Sequence, residues 1–530
     1  MNSATPPPTR PHWPAWLALW LAAAAGLAWW WAAGRPVALP DAPSSRIACV
    51  SYSPYRREGQ TPYDPATFIS PQQIDADLRA LSRRFDCVRT YSEGQGLDAV
   101  PAIAGRYGMK VLLGVWIGRD PVANAREIAL AAAVARAHPE VLRGVIVGNE
   151  VLLRGEQSPA ALARYLREAR AVLPPAVPVT YADVWEFWLR HPELAGSVDY
   201  ITIHVLPYWE DDPVPPERAV RHVAEVYARV RAAFPGKPVM IGETGWPSAG
   251  RPREAATASL VNEARYLREF LRYAATVQMP YNVIEAFDQA WKREQEGTVG
   301  GYWGIFDAHA EPKFPMRGPV VEIPRWWLGP LAALALAGVF VAVGGWRRTW
   351  RGARGWLALV GAGLGCGTAL AWQVRQMIYA CGPWQEWAIS IAACVLALGT
   401  ALALARALAS WLGGAAALPA GARLRFGWLF ALAYYDLLMV FDGRYRDFPL
   451  GLFALPAVGY ALLALCGRAT LAPSSREERF LGGLLPLLGA FVVVQEMGLD
   501  PVAWLWLGLN VLLAVPAWRV RPRRIAFAHQ

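Results

Sequence analysis

The sequence predicts an α/β chain in which a (β/α)8 barrel (a TIM barrel) is joined to an all-α bundle of transmembrane helices. Three observations predict this. Composition breaks near residue 320: residues 40–318 carry charges throughout, whereas 326–518 are dominated by Leu, Ala, Gly, Val and Trp. A further apolar run, Ala15 to Ala33, stands near the start. Between the two apolar regions, short β-branched runs alternate with amphipathic stretches, eight pairs in about 280 residues, close to the ~250 typical of a (β/α)8 barrel.

The resulting division is 1–39 as a cytoplasmic tail and N-terminal anchor, 40–318 as the barrel, and 319–530 as about seven further spans with a cytoplasmic tail. Charge follows the same division. The whole chain carries +10, but residues 40–318 hold 32 Lys and Arg against 33 Asp and Glu, a net of −1, and the rest holds 20 against 9, a net of +11. The positive excess therefore flanks apolar spans, as membrane topology requires, and argues against a nucleic-acid surface.

A spanning helix needs roughly 20 mostly apolar residues. Candidates are 15–33, 326–345, 356–373, 387–405, 427–441, 449–466, 480–495 and 501–518. The first apolar run exceeds the roughly 7–15 residues of a signal-peptide core, which favours an uncleaved anchor. With the N-terminus inside, the cytoplasmic segments hold Arg10, Arg347, Arg348, Arg351, Arg354, Arg406, Arg423, Arg425, Arg468, Arg476, Arg479, Arg519, Arg521, Arg523 and Arg524. The short outer loops of the C-terminal bundle hold Arg375, Arg444 and Arg446. Fifteen against three places the barrel outside the cytoplasm, in a multi-pass protein of the cell (inner) membrane, with its barrel in the periplasm where a cell has one. Trp326 and Trp327 are expected at the outer interface, which keeps the barrel near the bilayer.

Within the barrel the predicted strands are Ile47–Ser53, Cys87–Tyr91, Lys110–Trp116, Gly144–Asn149, Pro178–Tyr181, Val198–Val205, Pro238–Gly242 and Asn282–Phe287. Helices are predicted at Pro71–Arg84, Ala123–Ala137, Pro159–Val172, Pro216–Ala233 and Thr257–Thr276. No GxGxxG follows the first strand, which weakens the alternative of an open dinucleotide-binding sheet. The eighth helix is not visible, because Gly300–Phe314 reads as loop. Cys49 and Cys87 fall in two predicted strands and read as buried apolar thiols rather than a disulfide. No CxxC or Cys/His pattern suggests a metal, and no cofactor is implied.

Two strands end in glutamate. The fourth runs Val145-Ile146-Val147-Gly148-Asn149-Glu150, and the seventh runs Val239-Met240-Ile241-Gly242-Glu243-Thr244-Gly245-Trp246-Pro247. Barrel enzymes place catalysis at the C-terminal ends of strands. A carboxylate there faces the mouth or suffers a large desolvation penalty. Strands four and seven lie across the barrel from each other, so Glu150 and Glu243 can flank one substrate. Two such carboxylates suit glycoside hydrolysis, in which one stays protonated to donate and the other stays ionised to attack. Aromatics cluster at the same rim: Tyr52, Tyr55, Tyr91, Trp116, Tyr181, Trp185, Tyr208, Trp209, Trp246, Trp291 and Trp303. Their apolar faces and polar edges match the two characters of a sugar ring. His204 reads as a strand-six packing or hydrogen-bonding residue.

Val147-Gly148-Asn149-Glu150 and Gly242-Glu243-Thr244-Gly245-Trp246-Pro247 resemble the signatures of glycoside hydrolase family 17, which contains β-1,3-glucanases and β-1,3-glucanosyltransferases. Val88-Arg89-Thr90-Tyr91, Glu285-Ala286-Phe287-Asp288-Gln289-Ala290-Trp291-Lys292 and Gly304-Ile305-Phe306-Asp307 followed by Pro312-Lys313 extend the resemblance over about residues 46–314. It implies Glu150 as acid/base, Glu243 as nucleophile and Asn149 as a contact of the sugar 2-hydroxyl. It further implies Arg89 and Tyr208 as supports of the nucleophile, and Glu285, Asp288 and Lys292 as cleft residues. Tyr52, Tyr91 and Trp246 join the expected substrate-binding set.

The expected activity is retaining hydrolysis of β-1,3-linked glucan outside the cytoplasm. The alternatives are transglycosylation that remodels exported glucan, and a non-catalytic glucan sensor or transporter component. Expected partners are β-glucan, the lipid bilayer, and a glucan synthase or export machinery. In the bundle, Asp436 is the acid that falls inside a span, for which a structural hydrogen-bonding role is favoured.

Overall fold

The computed structural model describes residues 13–346, 348, 350, 352–414, 422–466 and 471–519. The expectations on Arg10, Arg347, Arg351, Arg468, Arg521, Arg523 and Arg524 lie outside those residues. The chain forms two compact units, Pro36–Val320 and a second made of Met1–Arg35 with Val321–Gln530.

The first unit is the barrel. Seven parallel strands form one sheet in sequence order. They are β1 (Val50–Ser51), β2 (Cys87–Arg89), β3 (Lys110–Val115), β4 (Leu142–Asn149), β5 (Val179–Val184), β6 (Ile201–His204) and β7 (Val239–Glu243). The predicted eighth strand closes the ring through single bridges, Ile241 with Tyr281 on one side and Val50 with Val283 on the other. Ser51 and Val283 fix that closure, with Ser51 N–H donating to Val283 O at 2.9 Å.

Helices return between the strands because the loops end in helix-starting signals. Ser70-Pro71, Asp120-Pro121 and Ser158-Pro159 open the helices Pro71–Leu81, Pro121–Ala137 and Pro159–Val172. In each, the Ser or Asp side chain accepts a first-turn N–H, and proline stands where no N–H is needed. Helices Pro216–Ala233 and Leu260–Val277 follow the sixth and seventh strands. After the closing segment only short turns appear, Ala290–Lys292, Arg293–Glu296 and Thr298–Gly301, so the unread eighth helix has no full-length counterpart among the described residues.

The core lies in two layers. One cluster fills the space between sheet and helices; a second, Cys49, Cys87, Leu112, Ile146, Ala182 and Met240, fills the lumen. The thiol reading of two of these is overturned. The parallel register pairs Val50 with Val88, which sets Cys49 beside Cys87, and the two form a disulfide with Cα atoms 4.3 Å apart.

Two register shifts prepare the barrel mouth. Between Ile146 and Asn149 β4 has one residue more than β5, and Gly148 takes φ +85° there. Between Ile203 and His204 the partner strand β7 has one residue more. A Cβ on Gly242 in that bulge would fall 2.4 Å from Thr202 and 3.0 Å from the His204 ring. Bulges beside active sites re-aim side chains, and here they turn Asn149, Glu150 and Glu243 toward the mouth.

The second unit contains eight helices among the described residues. They are α1 (Trp13–Ala33), α2 (Leu328–Gly344), α3 (Ala353–Ala380), α4 (Trp384–Leu412), α5 (Ala422–Asp442), α6 (Leu450–Cys466), α7 (Arg476–Gln495) and α8 (Pro501–Arg519). Each overlaps one predicted span. Five of the eight, α1, α3, α4, α5 and α8, are long and apolar enough to cross a membrane; α2 and α6 are shorter apolar helices. Small residues permit close approach, since a Cβ on Gly363 or Gly367 would meet the α2 backbone at Ala337 or Ala333 within 2.5 Å.

Candidate active site

Glu150 follows the last residue of β4 with φ +52°, a left-handed conformation that costs about 1–2 kcal/mol for a residue with a side chain. Its own N–H donates to Ala182 O at 2.8 Å. Two and three residues further on, the N–H groups of Leu152 and Leu153 donate to Asp183 on β5 at 3.2 and 3.4 Å. Asp183 thus holds the loop that carries Glu150. Burial pushes the Asp183 carboxyl up to about 6, although the Tyr181 hydroxyl opposes this.

Glu243 ends β7 and is buried. Its Oε1 accepts from Arg89 Nη1 at 2.8 Å and from the Tyr91 hydroxyl at 2.9 Å. Arg89 also donates to Gly242 O at 2.9 Å and to the Asn149 side-chain oxygen. Burial alone would raise the Glu243 carboxyl. The charges of His204, Arg89 and Lys292, with the Tyr91 hydroxyl, outweigh it and hold the group below the ordinary glutamate value.

His204 stands between the two acids. Its Nδ1 lies 3.0 Å from Glu150 Oε1 and 3.8 Å from Glu243 Oε2. One oxygen of each acid and one His204 nitrogen lie within 4.8 Å of one another. Three such donors are close enough to hold a cation, a set that sequence spacing did not suggest. A cation there would share Glu243 with the fixed guanidinium of Arg89. The facing oxygens of the two carboxyls are thus closer together than the ~6.5–9.5 Å carboxyl spacing that leaves room for an intervening water.

The remaining predicted residues divide. Glu285 accepts from Lys292 Nζ at 2.5 Å, and Asp288 accepts from Lys313 Nζ at 2.9 Å. Burial pushes Glu285 up to about 7 against the pull of Lys292, and Asp288 up to about 6 against that of Lys313. The Glu243 charge adds to the Glu285 shift, so the two acids feel each other.

Tyr208 does not reach the nucleophile. It is fully buried and its hydroxyl donates to Arg251 O at 2.7 Å; the hydroxyl on Glu243 belongs to Tyr91. Tyr52 and Trp246 are buried too, their polar atoms donating to Asp77 at 3.1 Å and Thr257 O at 3.0 Å. Of the rim aromatics, Trp116 is the most open at 37% exposed, with the Arg154 guanidinium 4.2 Å over its ring. Trp291 is half-buried, with Tyr63 edge-on at 5.4 Å. Sequence reasoning passed over Asp183, placed Lys313 in the resemblance without a role, and gave His204 no link to Glu150. The rule that found the glutamates, polar residues closing apolar strands, marks Asp183 and His204 as well.

Comparison with known proteins matches residues 49–304 to the family described as BtgE/BtgC glycoside hydrolase domain. A glucan 1,3-beta-glucosidase of Arthroderma benhamiae is 27% identical over 258 residues, covering 46% of this chain and 83% of that protein. A probable beta-glucosidase btgE of Aspergillus clavatus is 27% identical over 276 residues, covering 51% of this chain and 47% of that protein. The chain thus spans about half the length of the btgE relative. The crystal structure of a glycoside hydrolase family 17 beta-1,3-glucanosyltransferase from Rhizomucor miehei is 27% identical, covers 52% of this chain and 98% of its own, and gives a TM-score of 0.45. Over residues 49–304 the chain is thus similar to a glycoside hydrolase domain.

Proposed function

We propose that the chain is a retaining glycoside hydrolase of β-1,3-linked glucan, with Glu243 as nucleophile and Glu150 as acid/base. The observation that carries this reading is the carboxylate pair: two acids share one mouth, one half-buried and one buried and clamped. Glu243 attacks the anomeric carbon while Glu150 gives its proton to the departing glycosidic oxygen. A glycosyl ester on Glu243 results. Glu150, now ionised, takes a proton from water, whose oxygen displaces Glu243 from the sugar. Arg89 and Tyr91 keep Glu243 ionised and aimed. Asn149, held by Arg89, faces the sugar 2-hydroxyl; Trp116 and Trp291 offer aromatic surfaces to its neighbours. Glu285 on the eighth strand, with Asp288 and Lys292 just after it, lines the cleft.

The reading extends to location. The apolar helices, the arginine asymmetry and the disulfide together support a multi-pass membrane protein with the barrel outside the cytoplasm. The test is to incubate the full chain in detergent with a β-1,3-gluco-oligosaccharide and to identify the products. Shorter sugars with retained anomeric configuration are expected. Longer ones assign the intermediate to transfer. Unchanged substrate overturns the enzymatic reading.

A further inference from the structure

The second unit carries a polar centre that the barrel chemistry does not use. Asp436 lies within α5 and is completely buried. Its Oδ1 accepts from Trp506 Nε1 at 2.7 Å and from Asn510 Nδ2 at 3.3 Å, both on α8. The same Asn510 nitrogen donates to Trp506 O at 3.1 Å. The indole N–H and the amide hydrogens are therefore spent. Two buried acceptors are left without a donor, Asp436 Oδ2 and Asn510 Oδ1.

No cation answers them among the described residues. Helices α6, α7 and α8 pack against α5. On α5 itself, Arg425 pairs with Glu478 of α7 at 2.7 Å, the Tyr435 hydroxyl donates to Asp447 O, Tyr434 is exposed, and Asp442 pairs with Arg446. Tyr460 on α6 has Arg425 and Glu478 as its charged neighbours. Arg476, Glu477 and Arg479 stand on the first turn of α7, and Glu496 lies beyond its end; Asp500 precedes α8 and Arg519 ends it. An ionised Asp436 would be a buried, unpaired charge, which proteins avoid by neutralising the group.

We propose that Asp436 and Asn510 form a proton-binding site inside the bundle, with the proton on Asp436 Oδ2. One proton removes the charge and supplies an O–H that the neighbouring amide oxygen can accept, so it answers both orphan atoms at once. Acids inside membrane spans mark proton and ion pathways. The proposal stands apart from the glycosidase reading and gives the bundle a chemistry beyond anchoring.

Infrared difference spectroscopy tests it on the full chain in phosphatidylcholine nanodiscs at neutral pH. Protonated carboxyls of the barrel cancel between wild type and Asp436→Asn. The expected difference is loss of one protonated-carboxyl C=O band that shifts in D2O. Loss of a carboxylate band instead overturns the proposal. A second variant keeps it testable should Asp436→Asn fail to fold. Asn510→Leu removes the acceptor, so the same band is expected to move; an unmoved band overturns the pairing. Thermal unfolding in sodium and in choline chloride is the third arm, with no difference expected. A sodium-dependent rise in Tm together with a carboxylate band assigns the site to a metal cation and overturns the bound proton.

Discussion

Arg89 on β2 donates from Nη1 to Glu243 Oε1 on β7 at 2.8 Å, while its Nη2 holds Asn149 at the end of β4. One buried guanidinium therefore ties together the strand ends that carry both candidate catalytic acids. Removing it leaves a buried carboxylate uncompensated, which costs about 3–5 kcal/mol. Arg89→Ala should lower stability by that order and abolish turnover. Arg89→Lys keeps the charge but loses the fork that reaches two partners, so it should fold and still lose most of kcat. Denaturant unfolding and steady-state kinetics check both, and unchanged kinetics in Arg89→Lys would remove Arg89 from the positioning role.

The two acids should fail differently. Glu243→Ala removes the nucleophile and should lose essentially all turnover on every glucoside. Glu150→Ala should lose roughly 10²–10⁴-fold on natural glucan, where the leaving oxygen needs a proton. On activated aryl glucosides, whose leaving group departs unprotonated, the first step should survive and the glycosyl-enzyme should accumulate. Equal losses on both substrate types would contradict the assigned roles.

How far this site was legible in the sequence depended on which contacts are local. Glu150 and Glu243 announce themselves because each directly follows an apolar strand, and that periodicity is written in a few neighbouring residues. The partner of a buried hydroxyl is not. Tyr208 and Tyr91 are both aromatic neighbours of strand ends, and only the three-dimensional fold decides which hydroxyl meets Glu243. The disulfide was hidden for the same reason. Cys49 and Cys87 are 38 residues apart, and nothing short of the Val50–Val88 register sets them side by side. The closing strand was legible as Asn282–Phe287, although it joins the sheet through only isolated bridges.

A pH dependence of stability follows from Glu285. Burial raises its carboxyl from 4.5 to about 7 in the folded barrel. A raised acid binds a proton in the native state that the unfolded chain has already released. Its stabilising contribution is therefore complete below about 4.5 and is lost as pH rises through about 7. The shift corresponds to about 3 kcal/mol at most. Glu285→Gln, which cannot ionise, should flatten the fall in stability across this window. Urea unfolding of both proteins between those pH values measures it, and parallel slopes would show that Glu285 is not the group responsible.

The Cys49–Cys87 disulfide bears on the compartment of the barrel. Disulfides persist in oxidising surroundings and are rare in the cytosol. They close a 38-residue separation here, for which loop-closure entropy predicts about 3–4 kcal/mol of stability. Cys49→Ala/Cys87→Ala should therefore fold with a stability lower by about that amount. In native membranes, maleimide labelling under denaturing conditions should leave both cysteines unmodified until a reductant is added. A reporter active only outside the cytoplasm should be on when fused after residue 318 and off when fused after Arg354. If the two thiols label without reductant and the first fusion is silent, the barrel lies in the cytoplasm, and an exported glucan cannot be its substrate.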